Sequence, residues 1–272
     1  MNINFFCPRW GNEDLKWEDF FIKVKNAGFD GVEWAINKEV TRNKIKEILQ
    51  TAKEYNLIMI GQHFDTQNAN FEEHLENYQK WLEKVSGLDF YCINSQTGKD
   101  FFSKEQNEKI IEAAKQNELK TGISIYHETH RNKFSFAAHI TAVYLKENPE
   151  LKITLDASHW VNVAESYLED QQQAMDLAIL RTEHIHARIG HTEAVQVSDP
   201  FAPEWNEALE KHLFWWDAVI KRKKDNGSKM SITTEFGPVP YMPVLPYTNQ
   251  PVASQWDINH KMMQFLKKRY AD

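Results

Sequence analysis

The chain has 272 residues, 42% of them hydrophobic and 26% charged, values ordinary for a globular protein. No stretch approaches the roughly 20 apolar residues of a membrane-spanning helix. A formal net charge of −7 works against nonspecific attraction to nucleic-acid phosphate, so the expected partner is a small molecule, with neither nucleic acid nor membrane involved.

Residues 1–8 lack the basic start, apolar stretch and cleavage site of a secretory signal and alternate as a strand does. Taken in chain order, strands are predicted over 3–7, 31–34, 58–63, 90–95, 122–127, 152–156, 184–188 and 231–235. Helices with apolar residues at three- and four-residue spacing are predicted between and after them, over 17–27, 38–55, 71–85, 104–117, 134–147, 167–180, 205–224 and 254–269. Cys7 and Cys92 fall in separate predicted strands, and reduced thiols in a cytoplasmic compartment are expected. Strict alternation implies an α/β fold with parallel strands joined by crossover helices. Eight units in roughly 250 residues suit one closed (β/α)8 barrel spanning residues 1–272. A doubly wound sheet is the alternative, weakened by the absence of a Gly-x-Gly-x-x-Gly fingerprint or phosphate loop. Two long loops follow the seventh and eighth strands, over 189–203 and 236–252. Pro238, Pro240, Pro243, Pro246 and Pro251 stiffen the second, which reads as a shaped lid or as a brace between strand and helix.

Because side chains alternate across a strand, the last four strands can be sorted into two faces. Ile123 and Ile125 oppose Ser124, Tyr126 and Glu128; Ile153 and Leu155 oppose Thr154 and Asp156. Ile185, Ala187 and Ile189 oppose His184, His186 and Arg188, while Ile232 and Phe236 oppose Ser231, Thr233 and Glu235. With the polar faces turned inward, Glu128, Asp156, His186 and Glu235 converge where barrel active sites form. Three carboxylates and an imidazole in one place force some carboxylates to hold protons unless a cation compensates them. One divalent metal ion is therefore expected, with Zn, Mn, Co and Mg all compatible with the donor set. The bland alternative is a set of separately satisfied buried polar residues. His127-Glu128-Thr129-His130 lacks the helical i, i+4 histidine spacing of a metalloprotease.

Tyr126-His127-Glu128-Thr129-His130, Leu155-Asp156-Ala157-Ser158-His159, His184-Ile185-His186-Ala187-Arg188 and Thr234-Glu235-Phe236-Gly237 together resemble the xylose isomerase-like barrel superfamily, in its sugar (phosphate) isomerase/epimerase branch. Gly28-Phe29-Asp30-Gly31-Val32-Glu33 is similar to that family's second-strand entry, so the resemblance covers nearly the whole chain. It implies that Glu128, Asp156, His186 and Glu235 are metal ligands and that His159 contacts substrate. Arg188 stands where many members carry an acidic residue and is read as a contact to an anion or a sugar oxygen. Polarisation of a sugar carbonyl and its neighbouring hydroxyl by a metal would stabilise an enediolate. Glu128 and Glu235 would then exchange the substrate proton as base and acid, or serve as ligands alone. His63, Trp34 and Trp160 are further candidates for substrate contact, and His184 for orienting His186 from the layer beneath. His130 and His191 are expected to be solvated. The expected activity is carbohydrate isomerisation or epimerisation. The alternatives are metal-dependent hydrolysis or elimination on a polyhydroxylated substrate, cleavage of damaged DNA, and a noncatalytic carbohydrate-binding barrel. Dimers and tetramers both fit the sequence.

Overall fold

The computed structural model describes residues 2–271. Its strands are β1 (Ile3–Pro8), β2 (Gly31–Ala35), β3 (Ile58–His63), β4 (Ile93–Ser95), β5 (Ile125–Glu128), β6 (Ile153–Leu155), β7 (Thr182–His186) and β8 (Met230–Thr233). Between and after them run α1 (Trp17–Ala27), α2 (Arg42–Glu54), α3 (Phe71–Val85), α4 (Lys104–Thr121), α5 (Ala138–Glu147), α6 (Ala157–Ala164), α7 (Gln172–Arg181), α8 (Asn206–Asp225) and α9 (Gln255–Arg269). All strand pairings are parallel, each strand lies beside its sequence neighbours, and β8 closes onto β1 through Ile3↔Met230 to Phe6↔Thr233. The fold is the (β/α)8 TIM barrel that the strand–helix alternation implied. No helix among the described residues is long and apolar enough to cross a membrane.

Helices turn an apolar stripe toward the strands. In α3, for example, His74, Tyr78, Trp81, Leu82 and Val85 are buried at three- and four-residue spacing. Tyr78, Trp81, Leu82 and Val85 join the outward strand residues, including Ile125, Ile153, Leu155, Ile185 and Ile232, in one continuous core. A smaller cluster of Phe6, Ile60 and Cys92, with Tyr91 and Tyr126 partly buried, fills the barrel interior. This apolar plug leaves the layer above it, at the C-terminal ends of the strands, to polar side chains. Both cysteines are free and buried, Cys7 toward the helices and Cys92 inside the barrel one residue before β4.

Several boundaries differ from expectation. α4 extends to Thr121, because Gly122 at φ 73° takes the left-handed turn that ends it, and β5 begins correspondingly late. α6 has no counterpart among the expected helices. It starts directly after β6, where Asp156 caps it by accepting from the Ser158 amide at 3.0 Å. Arg188 and Glu235, expected inside strands, lie two residues past them, since the β7–β8 ladder ends at His186↔Thr233.

The loop after β8 is tied down at its start. Gly237 exchanges hydrogen bonds with the Gln196 amide at 2.7 and 3.1 Å, joining the two long loops. A Cβ on Gly237 would lie 2.2 Å from the Trp10 ring, so this position admits only glycine without moving the rim.

Candidate metal centre and active site

Glu128 ends β5, Asp156 follows β6, His186 ends β7 and Glu235 lies just beyond β8. One oxygen or nitrogen from each falls within 4.8 Å of all the others, and all four residues are buried. His186 Nδ1 lies 2.7 Å from Glu235 Oε2 and 3.7 Å from Glu128 Oε1. Its Nε2 lies 3.0 and 3.1 Å from the two oxygens of Glu33. The Glu33 carboxylate also takes Asn94 Nδ2 at 2.9 Å, Thr233 Oγ1 at 2.5 Å and His184 Nε2 at 3.2 Å. Gln62 donates to Glu235 at 3.0 Å and to Glu128 at 3.4 Å, and Asn94 donates to Glu128 at 3.0 Å.

Arg188 supplies a fixed positive charge beside the four residues. Its Nη2 forms a close ion pair with Asp156 Oδ2, lies 3.6 Å from Glu235 Oε2 and reaches His159 Nε2 at 2.8 Å. Its Nε donates to Ser158 Oγ at 3.2 Å. His159 packs on His130 with ring centres 3.9 Å apart, and burial holds both imidazoles neutral.

Burial alone would discharge His186, but Glu235, Glu33 and Glu128 outweigh it and hold its pKa well above the ordinary value. Burial, followed by repulsion from Glu235 and Asp156, pushes Glu128 up, and burial likewise raises Asp156. Glu235 and Glu33 are held low against the burial effect, chiefly by His186. The cluster thus carries more acid than its own cations neutralise.

The donor set fits a divalent cation. Ligand atoms sharing an ion at roughly 2.0–2.2 Å sit about 3–4 Å apart, which the spread of these four atoms allows. Of those donors, His186 Nδ1 faces Glu235 Oε2 at 2.7 Å, and Glu128 Oε1 is buried without a hydrogen-bond partner among the described residues. Buried polar atoms are rarely left so. Glu33 fixes the far nitrogen of His186, the arrangement that aims a neutral imidazole at a metal.

Above the cluster opens a cavity of about 670 Å³. Glu128, Glu235, Gln62 and Arg188 line it on one side, and Trp10, Trp17, Trp34 and Phe64 form an apolar wall. His130 and Tyr241 complete its rim. Tyr241, from the loop after β8, stacks edge-on against Trp10, lies under the Arg188 and Arg131 guanidinium groups, and takes a hydrogen bond from Arg131 at 3.2 Å.

The structure therefore brings together Glu128, Asp156, His186, Glu235, Arg188 and His159, and places Trp34 on the cavity wall. It does not bring His63 or Trp160 there. On β3 the inward position belongs to Gln62, so the next residue, His63, turns outward, packs between Tyr78 and Trp81, and bonds Thr66 at 2.7 Å. Trp160 is 1% exposed on α6, with its indole donating to the Ser135 carbonyl at 2.8 Å. His184 reaches His186 through Glu33 instead of bonding it directly, its other nitrogen held by Ser231 at 2.7 Å. His130, expected to be solvated, borders the cavity. Sequence reasoning missed Glu33, Gln62 and Asn94. The alternation that sorted the last four strands sets Glu33 opposite Val32 and Trp34 on β2, but on β3 it divides Gln62 and His63 between two otherwise similar faces and so does not choose between them.

A family model described as xylose isomerase-like TIM barrel matches residues 21–245. No curated protein matches the chain. Among solved structures, a probable 3-DHS dehydratase AsbF of Bacillus anthracis is 16% identical, covers 98% of this chain and 99% of its own, and superposes with a TM-score of 0.60. A sugar phosphate isomerase/epimerase of Parabacteroides distasonis is 12% identical over 97% and 98% of the two chains, with a TM-score of 0.61. Endonuclease IV of Thermus thermophilus is 13% identical over 98% and 100%, with a TM-score of 0.58. At these identities the likeness shows the fold.

Proposed function

Because this chain belongs to the xylose isomerase-like TIM-barrel family, we propose that it is a divalent-metal-dependent sugar or sugar-acid isomerase or epimerase. One observation carries the proposal. Of the four candidate ligands, Glu128 and Glu235 line the cavity, while Asp156 and His186 lie behind them. Two carboxylates thus face the substrate space from different strands, with His186 between them and Gln62 donating to both. A divalent ion held by the four residues would polarise a carbonyl and its adjacent hydroxyl and acidify the neighbouring C–H.

Proton transfer falls to the chain's own groups. Glu128 and Glu235, which face the cavity from β5 and from just beyond β8, would exchange the substrate proton as base and acid, each through an oxygen left free of the ion. Return of the proton to the adjacent carbon isomerises the substrate; return to the opposite face of the same carbon epimerises it. Arg188, fixed by Asp156 and His159, offers positive charge to an oxygen that becomes anionic. Trp10, Trp34 and Phe64 present flat apolar surface to sugar C–H groups. Deuterium should enter the carbon beside a carbonyl when the metal-loaded protein is incubated with candidate sugars in heavy water. Glu235→Gln should slow that exchange by roughly 10²–10⁴-fold while leaving the circular dichroism of the barrel intact. Undiminished exchange in this variant would remove Glu235 from the chemistry.

A further inference from the structure

Beside the cavity, two buried lysines make no ion pair among the described residues. Lys133, in the loop between β5 and α5, is 1% exposed, and its Nζ has no hydrogen-bond partner among the described residues. Lys99, in the loop between β4 and α4, is 4% exposed, and its Nζ is bonded to neutral amide oxygens, Gln67 Oε1 at 2.5 Å and Asn132 Oδ1 at 3.5 Å. The two loops are joined by the Phe134 amide, which donates to the Thr97 carbonyl at 3.2 Å. Buried ammonium groups are ordinarily paired, because an uncompensated charge there costs several kcal/mol. Here the pairing partner is missing, and one neutral group marks its place. Gln67 is an exposed side chain lining the cavity, and its amide oxygen, bonded to the Lys99 ammonium, links Lys99 to the cavity wall. The Lys133 amide donates to the carbonyl of His130, another cavity residue, at 3.2 Å.

We propose that Lys99 and Lys133 receive an anionic group of the substrate, a carboxylate or a phosphate, which displaces the Gln67 amide and binds the two ammonium groups together. The substrate is then a sugar acid or a sugar phosphate, its anionic end toward the β3–β5 side and its reacting carbon over the metal-ligand cluster. The proposal takes this cavity as the substrate site. Electrostatics support it. Burial and then Lys99 depress Lys133 to about 7, against the attraction of Glu128, Asp100 and Asp65. His63, His74 and His130, the other titratable groups facing it, all have their pKa values lowered, chiefly by burial and in part by Lys133 itself. An anion arriving at this pair restores the charge that burial removes, and binding takes up a proton.

Calorimetric titration of the metal-free protein tests this without turnover, so failure of the isomerase reading leaves the result interpretable. Sulfate, whose charge is constant across the range, stands in for phosphate, and malonate for a carboxylate. Saturable binding is expected, weaker by roughly tenfold or more in Lys99→Met and in Lys133→Met. It should also weaken from about pH 6 to about pH 8.5 in the native chain and lose that dependence in Lys133→Met. Methionine fills the same space without charge, and unchanged circular dichroism establishes that each variant is folded. Preference for sulfate assigns the phosphate; preference for malonate assigns the carboxylate. Binding of neither anion, or binding that both variants retain, overturns the proposal.

Discussion

Glu33 accepts hydrogen bonds from Asn94 and Thr233 and meets both histidines of β7. Neutralising it leaves His186 Nε2 without a charged acceptor and its ring less firmly aimed. Glu33→Gln is expected to weaken divalent-metal affinity by roughly 10–100-fold, measured by titration with Zn or Mn, and an unchanged affinity would refute the orienting role. Lys133 provides a test by stability. Its native pKa, about 7, lies below the ordinary lysine value of 10.5. Between these limits the unfolded chain binds a proton that the native chain does not, so stability rises with pH across that window. The cost of burying the charge is fully present below it. Urea unfolding should show the native chain gaining a few kcal/mol relative to Lys133→Met from about pH 7 to about pH 10. Parallel pH profiles would show that Lys133 carries no such burden. At this scale, the inward carboxylates and His186 were legible because alternate residues on their strands, such as Ile123 and Ile125 or Ile185 and Ala187, form an apolar opposite face. His63 was not, because polar Gln62 precedes it and only the closed barrel reveals which of the two faces inward.

The alternation of strands and helices could be read from period and spacing alone, whereas their ends depend on local chemistry that the period does not record. α4 is fixed at its start by a capping box, in which Ser103 accepts from the Gln106 amide and Gln106 returns the bond. Ser103→Ala should cost about 1 kcal/mol and lower the melting temperature by roughly 2–4 °C in a chain of this size. No shift would mean that the helix start is held by packing. The loop after β8 depends on close approach instead of capping. A methyl group at Gly237 would enter the Trp10 ring, which in turn meets Tyr241 with ring centres 5.0 Å apart. Gly237→Ala is therefore expected to raise KM more than it lowers kcat, because it disturbs the cavity rim and leaves the carboxylates in place. An equal fall in kcat and kcat/KM would instead tie this loop to the reacting groups. The short helix α6 escaped the sequence reading because its eight residues, five of them buried at its start, show no exposed polar stripe.

Across the whole molecule, the candidate metal centre joins residues at the ends of strands β5 to β8, so an ion bound there would belong to the folded chain and be lost on unfolding. At a hundredfold excess over its dissociation constant, a divalent ion should stabilise the barrel by about 2.7 kcal/mol. Thermal unfolding with and without chelator should show this gain in the native chain and not in Asp156→Ala; equal melting temperatures with and without metal would exclude a site formed by folding. By itself the sequence determined the barrel, since eight alternating units with apolar outward faces have few other ways to bury their surface, and it determined which residues of the last four strands point inward. Only the tertiary structure decided that Glu33, Gln62 and Asn94 complete the polar layer, that Arg188 is locked to Asp156 and His159, and that Lys99 and Lys133 lie buried with no ion pair among the described residues. Those relations join residues far apart in the chain, and closure of the barrel sets their distances, which no periodicity along one strand contains.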